Sequence, residues 1–380
     1  MIFIVLLPDG CQGAGHRRRT AYYFHSMNGN SPAVKYLRSA LLTSSSLAVA
    51  SIAFVSSLMH FHIHTIFIGL IWGSVVGFSG TAMEQFFFNK RGQRWSFSAL
   101  LGARTMFYFL LVGGCIFWIV GMHEQWMTGC TFSESFQHSN IRDYFTGGDF
   151  TKDLLFGLLL MVFINFARQI SRIMGGNVFR SYIFGKYHRP VTEKRIIMFL
   201  DLNDSTTIAE KLGAEKYHRF INETFFRVTP AIIANKGEIY QYVGDEMVIT
   251  WREKPGIMHE HCVRCFFDIR KLLTDGAPKF EVGYGYIPSF KAGIHLGHVV
   301  VGEIGDVKRE IAFLGDTINT AARIRSACSV LKRSLLVSAE LIGALNDTRH
   351  LMIEKMGPMR LKGKEEKMEL CAITVQEGRG

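Results

Sequence analysis

The 380-residue chain has seven cysteines but no framework that would pair them, which excludes a disulfide-stapled scaffold. Cys262 and Cys265 lie beside His259 and His261 in HEHCVRCFFDI, which resembles half of a zinc site. No second cysteine pair follows at suitable spacing, and the segment has the pattern of an amphipathic helix with buried thiols. A secretory leader is also lacking: MIFIVLLPDG is a short apolar run without a basic start. The carboxyl-terminal half lacks basic residues interleaved with aromatics, so a nucleic-acid-binding module is excluded as a partner class. The net charge of +11 has another explanation, because Lys and Arg cluster at the ends of apolar runs.

What the chain has is hydrophobicity, unevenly placed. It is 48% hydrophobic and 13% aromatic, with a mean hydropathy of +0.15. Runs of roughly twenty apolar residues precede Arg168, whereas apolar and charged residues alternate after it. The runs cover about 36–58, 63–83, 100–122 and 153–167. Basic residues stand before the first run, between the second and third (Lys90, Arg91, Arg94) and after the fourth (Arg168, Arg172). That distribution predicts four helices crossing a lipid bilayer, with both termini cytoplasmic and His60–His64 and 123–150 outside. The short fourth run also fits a buried soluble helix. Gly69, Gly73 and Gly77 recur every fourth residue and suit close helix packing. The outer histidines fit either a metal or heme site or an interfacial position. The stretch 168–185 is basic and amphipathic around Gly175-Gly176, and Pro190 marks the boundary to the second half of the chain.

That second half alternates predicted strands and helices, giving an α+β domain with helices covering a sheet. Strands are expected at 196–202, 239–251 (a hairpin), 280–286, 290–303, 311–313, 334–338, 351–361 and 369–375. Helices are expected at 212–235, 259–273 and 316–327. In IYQYVGDEMVITW a Gly-Asp turn holds Asp245 at a hairpin tip, and in IIMFLDLNDST an apolar strand ends at Asp201. If the two strands are neighbours, these carboxylates meet and repel, and divalent cations would relieve that repulsion. A nucleotide polyphosphate is the natural third party. A Gly-Asp turn is equally a structural device. Asn319 and Arg323, four residues apart on one helix face, suit a sugar oxygen and a phosphoryl oxygen, or else a capped helix start with an exposed Arg. Lys362 and Lys364 in LKGKEE either pair with phosphate or are solvated.

Five segments in order, FLDLNDST, YQYVGDE, AGIHLGHVVVGEIG, LGDTINTAAR and LKGK, resemble the catalytic domain of the class III nucleotide cyclases, the adenylate and guanylate cyclase family. The likeness runs from about Lys194 to Val375 and suggests a membrane-anchored bacterial type. It implies a ferredoxin-like α+β catalytic domain preceded by an all-α transmembrane domain. The expected division is a cytoplasmic segment 1–35, a four-helix membrane domain 36–173, a linker or transducer 174–194 and a catalytic domain 195–376. By the resemblance, Asp201, Asp245 and the carbonyl of Leu202 bind two divalent cations, Mg²⁺ or Mn²⁺. Asn203, Asp204, Ser205 and Thr206 form the phosphate-cradling start of a helix. Asn319 orients the ribose, Arg323 stabilises the charged transition state, and Lys362, with Lys364 as the alternative, binds triphosphate. The family works as a head-to-tail dimer, so a homodimer with shared sites is implied.

The sequence departs from the family where the base is read. Gln241 replaces a lysine that contacts adenine, and Ala312 replaces an Asp or Thr that accepts from the adenine amino group. The guanine-reading Glu and Cys are also absent. Analogy favours ATP as substrate and cyclic AMP as product. A guanylate cyclase, and a silent membrane receptor built on the cyclase fold, are the competing readings. The expected location is the inner membrane, with a cytoplasmic catalytic domain. The membrane half either senses an unidentified ligand or only anchors.

Overall fold

The computed structural model describes residues 41, 63–88, 95–349 and 351–375. The chain divides into two compact units between Met174 and Gly175.

In the first unit, α1 (Ile63–Met83) runs into a π-helical turn at Glu84–Phe88. It is followed by α2 (Phe97–Thr128), the short α3 (Phe132–Ser135) and α4 (Ser139–Thr146), and α5 (Asp149–Met174). The Ser96 hydroxyl caps α2 by accepting from Ala99 N–H, and Gly129 ends it at φ 71°. Glu84 and Arg104 pair at 3.0 Å, so the buried guanidinium does not stand alone among apolar helices. The Gln169 amide on α5 donates to the Phe97 carbonyl at 3.0 Å. The segment read as a polar outer loop is mostly helical. It docks on α2 through rings, with Phe117 and Phe136 stacked at 4.5 Å and Trp118 and Phe132 at 4.4 Å. Among the described residues α2 is the one helix long and apolar enough to cross a membrane. The first expected span, apart from Leu41, lies outside the described residues, as do His60 and His62.

The second unit opens with α6 (Gly176–Ile183) and β1 (Val191–Leu202), then α7 (Ser205–Leu212) and α8 (Ala214–Ala234). Next come the hairpin β2 (Glu238–Val243) and β3 (Glu246–Arg252), the short α9 (Glu253–Ile257) and α10 (His261–Tyr284). β4 (Phe290–Ile304), β5 (Glu310–Leu314), α11 (Asp316–Leu331), β6 (Leu335–Ser338), α12 (Ala339–Ala344), β7 (Leu351–Arg360) and β8 (Lys367–Val375) complete it. The sheet order is β2-β3-β1-β4-β6-β8-β7, with β5 paired to the far end of β4. Every pairing is antiparallel except β4 with β6.

β1 is buried on both faces, as its unbroken apolar run requires. Ile196, Met198, Leu200 and Leu202 join Phe220, Ile232, Phe266 and Phe280 of α8 and α10 in one core. Ile197 enters a second core with Val299, Phe313 and Ala321 of β4, β5 and α11. Val178, Tyr182 and Tyr187 pack on that second core, so the stretch read as a connection helps to build this unit.

One expected element is absent. The alternation of Phe280, Val282, Tyr284 and Tyr286 with polar or small residues predicts a strand over 280–286. Instead α10 continues to Tyr284 and stops at Gly285, which has φ 74°. Leu273, Gly276 and Phe280 are buried at helical spacing. Phe280 and Tyr284 both pack on Phe220, and this tertiary contact overrides the local alternation.

Candidate active site

The site begins with strand register. β1 lies between β3 and β4, and Asp201 is the Cα partner of Glu246 on one side and Lys291 on the other. A row of side chains therefore crosses three strands on one face: carboxylate, carboxylate, ammonium. Asp245 immediately precedes Glu246 in the two-residue Gly244-Asp245 turn. Gly244 has φ 63°, a first turn position that suits glycine. The expected approach of the β1 end and the hairpin tip is therefore present, and it brings a third carboxylate with it.

α11 lies across β4 on the same face. A Cβ at Gly293 would overlap the backbone of Arg325, and one at Gly297 would crowd the Thr317 side chain. These two glycines let helix and strand approach closely. That approach carries Arg325 to the carboxylate row. Its Nη2 lies 2.6 Å from Glu246 Oε2 and its Nη1 lies 3.6 Å from Asp201 Oδ2. Lys291 Nζ reaches the same Asp201 oxygen at 3.1 Å. Glu246 and Arg325 form a close ion pair, while Arg325 Nε lacks a hydrogen-bond partner. Burial pushes the Glu246 carboxyl above its ordinary range; Arg325 opposes this, while Asp201 and Asp245 add to it. Tyr217 belongs to the same neighbourhood. Burial first, and then Asp245, push its phenol up, while the Ser205 hydroxyl pulls it down.

Next to Asp201 the chain turns sharply. Asn203 donates from its backbone to the Ser289 carbonyl at 2.9 Å and from its side chain to the Ser289 hydroxyl at 3.0 Å. Asp204 is left-handed at φ 54° and caps α7 without a side-chain bond. Ser205 and Thr206 form the first turn of this helix, whose leading N–H groups point outward and suit an anion.

The other expected residues lie on α11 and beyond. Thr317, Ala321, Ile324 and Cys328 are its buried stripe. Arg325 flanks that stripe on the side of β1 and β3. Arg323, about 200° away around the helix, flanks the other side and donates to the Gly363 carbonyl at 3.2 Å. Asn319 is exposed one turn before Arg323, on the same face. Lys364 Nζ lies 2.7 Å from Asp316 Oδ2 at the start of α11, and the pairing pulls the Asp316 carboxyl down. Lys362 is exposed. Of the two lysines it is therefore Lys364 that stands against the helix bearing Asn319 and Arg323.

The two positions at which the resemblance expects base contacts have neighbours in contact that the sequence motifs do not single out. Gln241 is exposed on β2 just after a register shift, and Ala312 is buried on β5. Tyr240, before Gln241, stacks on Phe313, after Ala312, with centroids 4.5 Å apart and planes 3° apart. The Phe313 N–H donates to the Tyr240 hydroxyl at 3.2 Å. Lys291, Arg325 and Glu246 are likewise outside the expected set. Lys291 has a readable signal, as an opposite charge directly across from Asp201 once β1 and β4 are paired.

Among the described residues no set of three His, Cys, Asp or Glu converges as a metal-ligand group. The donors at hand are the carboxylates of Asp201 and Asp245 and main-chain carbonyls. They are all hard oxygens and fit Mg²⁺ or Mn²⁺ rather than a thiophilic ion. The cationic groups of Lys291 and Arg325 on Asp201 show that positive charge is stabilised at this point.

A family model described as the adenylate and guanylate cyclase catalytic domain matches residues 188–374. Adenylate cyclase 2 of Rhizobium meliloti (strain 1021) is 34% identical over 211 residues, covering 56% of this chain and 58% of that protein. The receptor-type guanylate cyclase gcy-10 of Caenorhabditis elegans is 22% identical over 182 residues, covering 46% of this chain and 16% of that protein. The chain thus spans little more than half the length of the first relative and far less of the second. A solved bacterial light-regulated adenylyl cyclase superposes with a TM-score of 0.50 at 22% identity, covering 58% of this chain and 64% of that one. That likeness concerns the fold.

Proposed function

We propose, from the premise that residues 188–374 form an adenylate and guanylate cyclase catalytic domain, that the chain converts ATP to 3′,5′-cyclic AMP and pyrophosphate. The carrying observation is the meeting of Asp201 with the Gly244-Asp245 turn, beside a helix start with free N–H groups. The preference for ATP rests on the relative at 34% identity, which is named as an adenylate cyclase.

Asp201, Asp245 and the Leu202 carbonyl would hold two divalent cations. When bound, these supply charge neutralisation and a lowered pKa for the ribose 3′-hydroxyl. The 3′-oxygen forms a bond to the α-phosphorus as the bond to pyrophosphate breaks, and the hydroxyl proton leaves to solvent. The turn 203–206 cradles phosphate with main-chain N–H groups. Arg323 offsets charge growing on the α-phosphoryl oxygens, Asn319 orients the ribose, and Lys364, with Lys362 nearby, holds the triphosphate.

Two copies are needed for this division of labour. Arg325 takes one flank of α11 to its own Asp201, whereas Asn319 and Arg323 face the other flank. The asparagine–arginine face is therefore offered to the carboxylates of a second copy, which supports a head-to-tail homodimer with two shared sites. A location in the inner membrane, with this domain in the cytoplasm, extends the same reading and is supported by the apolar helix Phe97–Thr128.

The test is turnover of full-length protein with ATP and with GTP, each with Mg²⁺ and with Mn²⁺. Cyclic AMP is expected to dominate, and Asp245→Asn is expected to abolish it without dispersing the dimer. Dominant cyclic GMP would overturn the choice of base, and undiminished turnover in the variant would overturn the carboxylate assignment.

A further inference from the structure

The carboxylate row is already occupied by the protein's own cations. Asp201 faces Lys291 at 3.1 Å and Arg325 at 3.6 Å, and Glu246 faces Arg325 at 2.6 Å. Asp245 adjoins the row. Two carboxylates thus meet two basic groups, and each basic group is fixed from behind. Lys291 stands on the strand paired to β1, and Arg325 stands on a helix pressed against Gly293.

We propose that Arg325, assisted by Lys291, is a built-in competitor of the divalent cation, raising the metal concentration at which the Asp201–Asp245 site fills. This rests on the metal assignment made under the proposed function and extends it to residues that assignment does not use. A divalent ion and a guanidinium cannot both take full advantage of Asp201, because like charges a few ångströms apart repel. The Arg325–Glu246 contact is suited to release. A bidentate fork of parallel hydrogen bonds would hold Arg325 most firmly, and Arg325 Nε has no hydrogen-bond partner, so no fork through Nε is made. Arg325 is therefore a positioning residue that acts through Asp201 and Glu246. Its cost is a weaker metal site, and its return is a carboxylate cluster that does not repel itself when the metal is absent.

The experiment titrates Mn²⁺ into full-length protein in detergent without nucleotide, reading free Mn²⁺ by electron paramagnetic resonance. The Asp201→Asn variant defines the signal that belongs to this site. Arg325→Gln is expected to tighten binding at the site roughly 10-fold. Arg325→Lys should return it toward the wild-type value, and Lys291→Met should tighten it by less. Unchanged or weaker binding in a folded Arg325→Gln protein overturns the proposal. If that variant does not fold, Lys291→Met decides, with tighter binding supporting the competitor and unchanged or weaker binding rejecting it. Wild-type binding identical to that of Asp201→Asn would instead remove the metal assignment itself, and the competitor with it.

Discussion

His295 shows how far one side chain in this domain depends on its surroundings. It sits on β4, 6% exposed, with Nδ1 at 2.9 Å from the Ser338 hydroxyl. Burial, and then the nearby Lys364, push its pKa down to about 4, against the opposing pull of Asp316. Glu340 comes within 3.3 Å but is largely exposed, so water screens its pull. The folded state thus resists a proton that the unfolded state accepts from about pH 6.5 downward. The contribution to stability is full above pH 6.5 and is lost as the pH falls toward 4. At its limit it is about 3 kcal/mol. Denaturant midpoints at pH 7.5 and pH 5 should show this loss in wild type, and His295→Asn should flatten it. An equal slope in the variant would reject the assignment.

At this scale the sequence spoke unevenly. Asp201 and Asp245 were legible because each ends an apolar run, and the structure pairs Asp201 with Glu246, the residue that follows Asp245. Lys291 was legible only once β1 and β4 are paired, and Arg325 was not, because its role is set by helix-on-strand packing, which has no local pattern. The choice between Lys362 and Lys364 turns on which one the turn between β7 and β8 directs at Asp316.

Among the elements, α11 and its bed on β4 carry Lys291, Asn319, Arg323 and Arg325. The approach depends on Gly293, where an added methyl group would meet the backbone of Arg325 and Ala321. Backbone cannot swing aside as a side chain does, so the helix itself must lift. Gly293→Ala should cost about 1–3 kcal/mol and should lower turnover more than the loss of folded protein explains, because Arg323 and Asn319 move with the helix. A melting curve and kcat measured on the same sample check this, and an unchanged kcat would mean that α11 tolerates displacement. The hairpin was legible from its Gly-Asp turn between apolar runs. The carboxyl end of α10 was not, because alternation in KFEVGYGY mimics a strand until Phe220 is known to lie against it. The Tyr240–Phe313 stack has the same character, joining two strands at opposite sides of a sheet face.

The whole molecule joins an apolar helical unit to a domain with its own cores. The boundary was legible as a change from apolar runs to alternation, but α6 and Tyr187 belong to the later unit, since a basic amphipathic pattern does not say which apolar surface its stripe will cover. Under the proposed function activity at this scale requires pairing, a reading supported by Arg325 and Arg323 leaving α11 on opposite flanks. The most direct measurement is therefore complementation between two full-length variants, Asp245→Asn and Arg323→Ala, each assayed alone and after co-expression. Each alone should be inactive in both of its sites. Random pairing should restore about one quarter of wild-type turnover, because half of the dimers carry one intact site of two. A co-expressed mixture no more active than either variant alone would contradict a site shared between two copies.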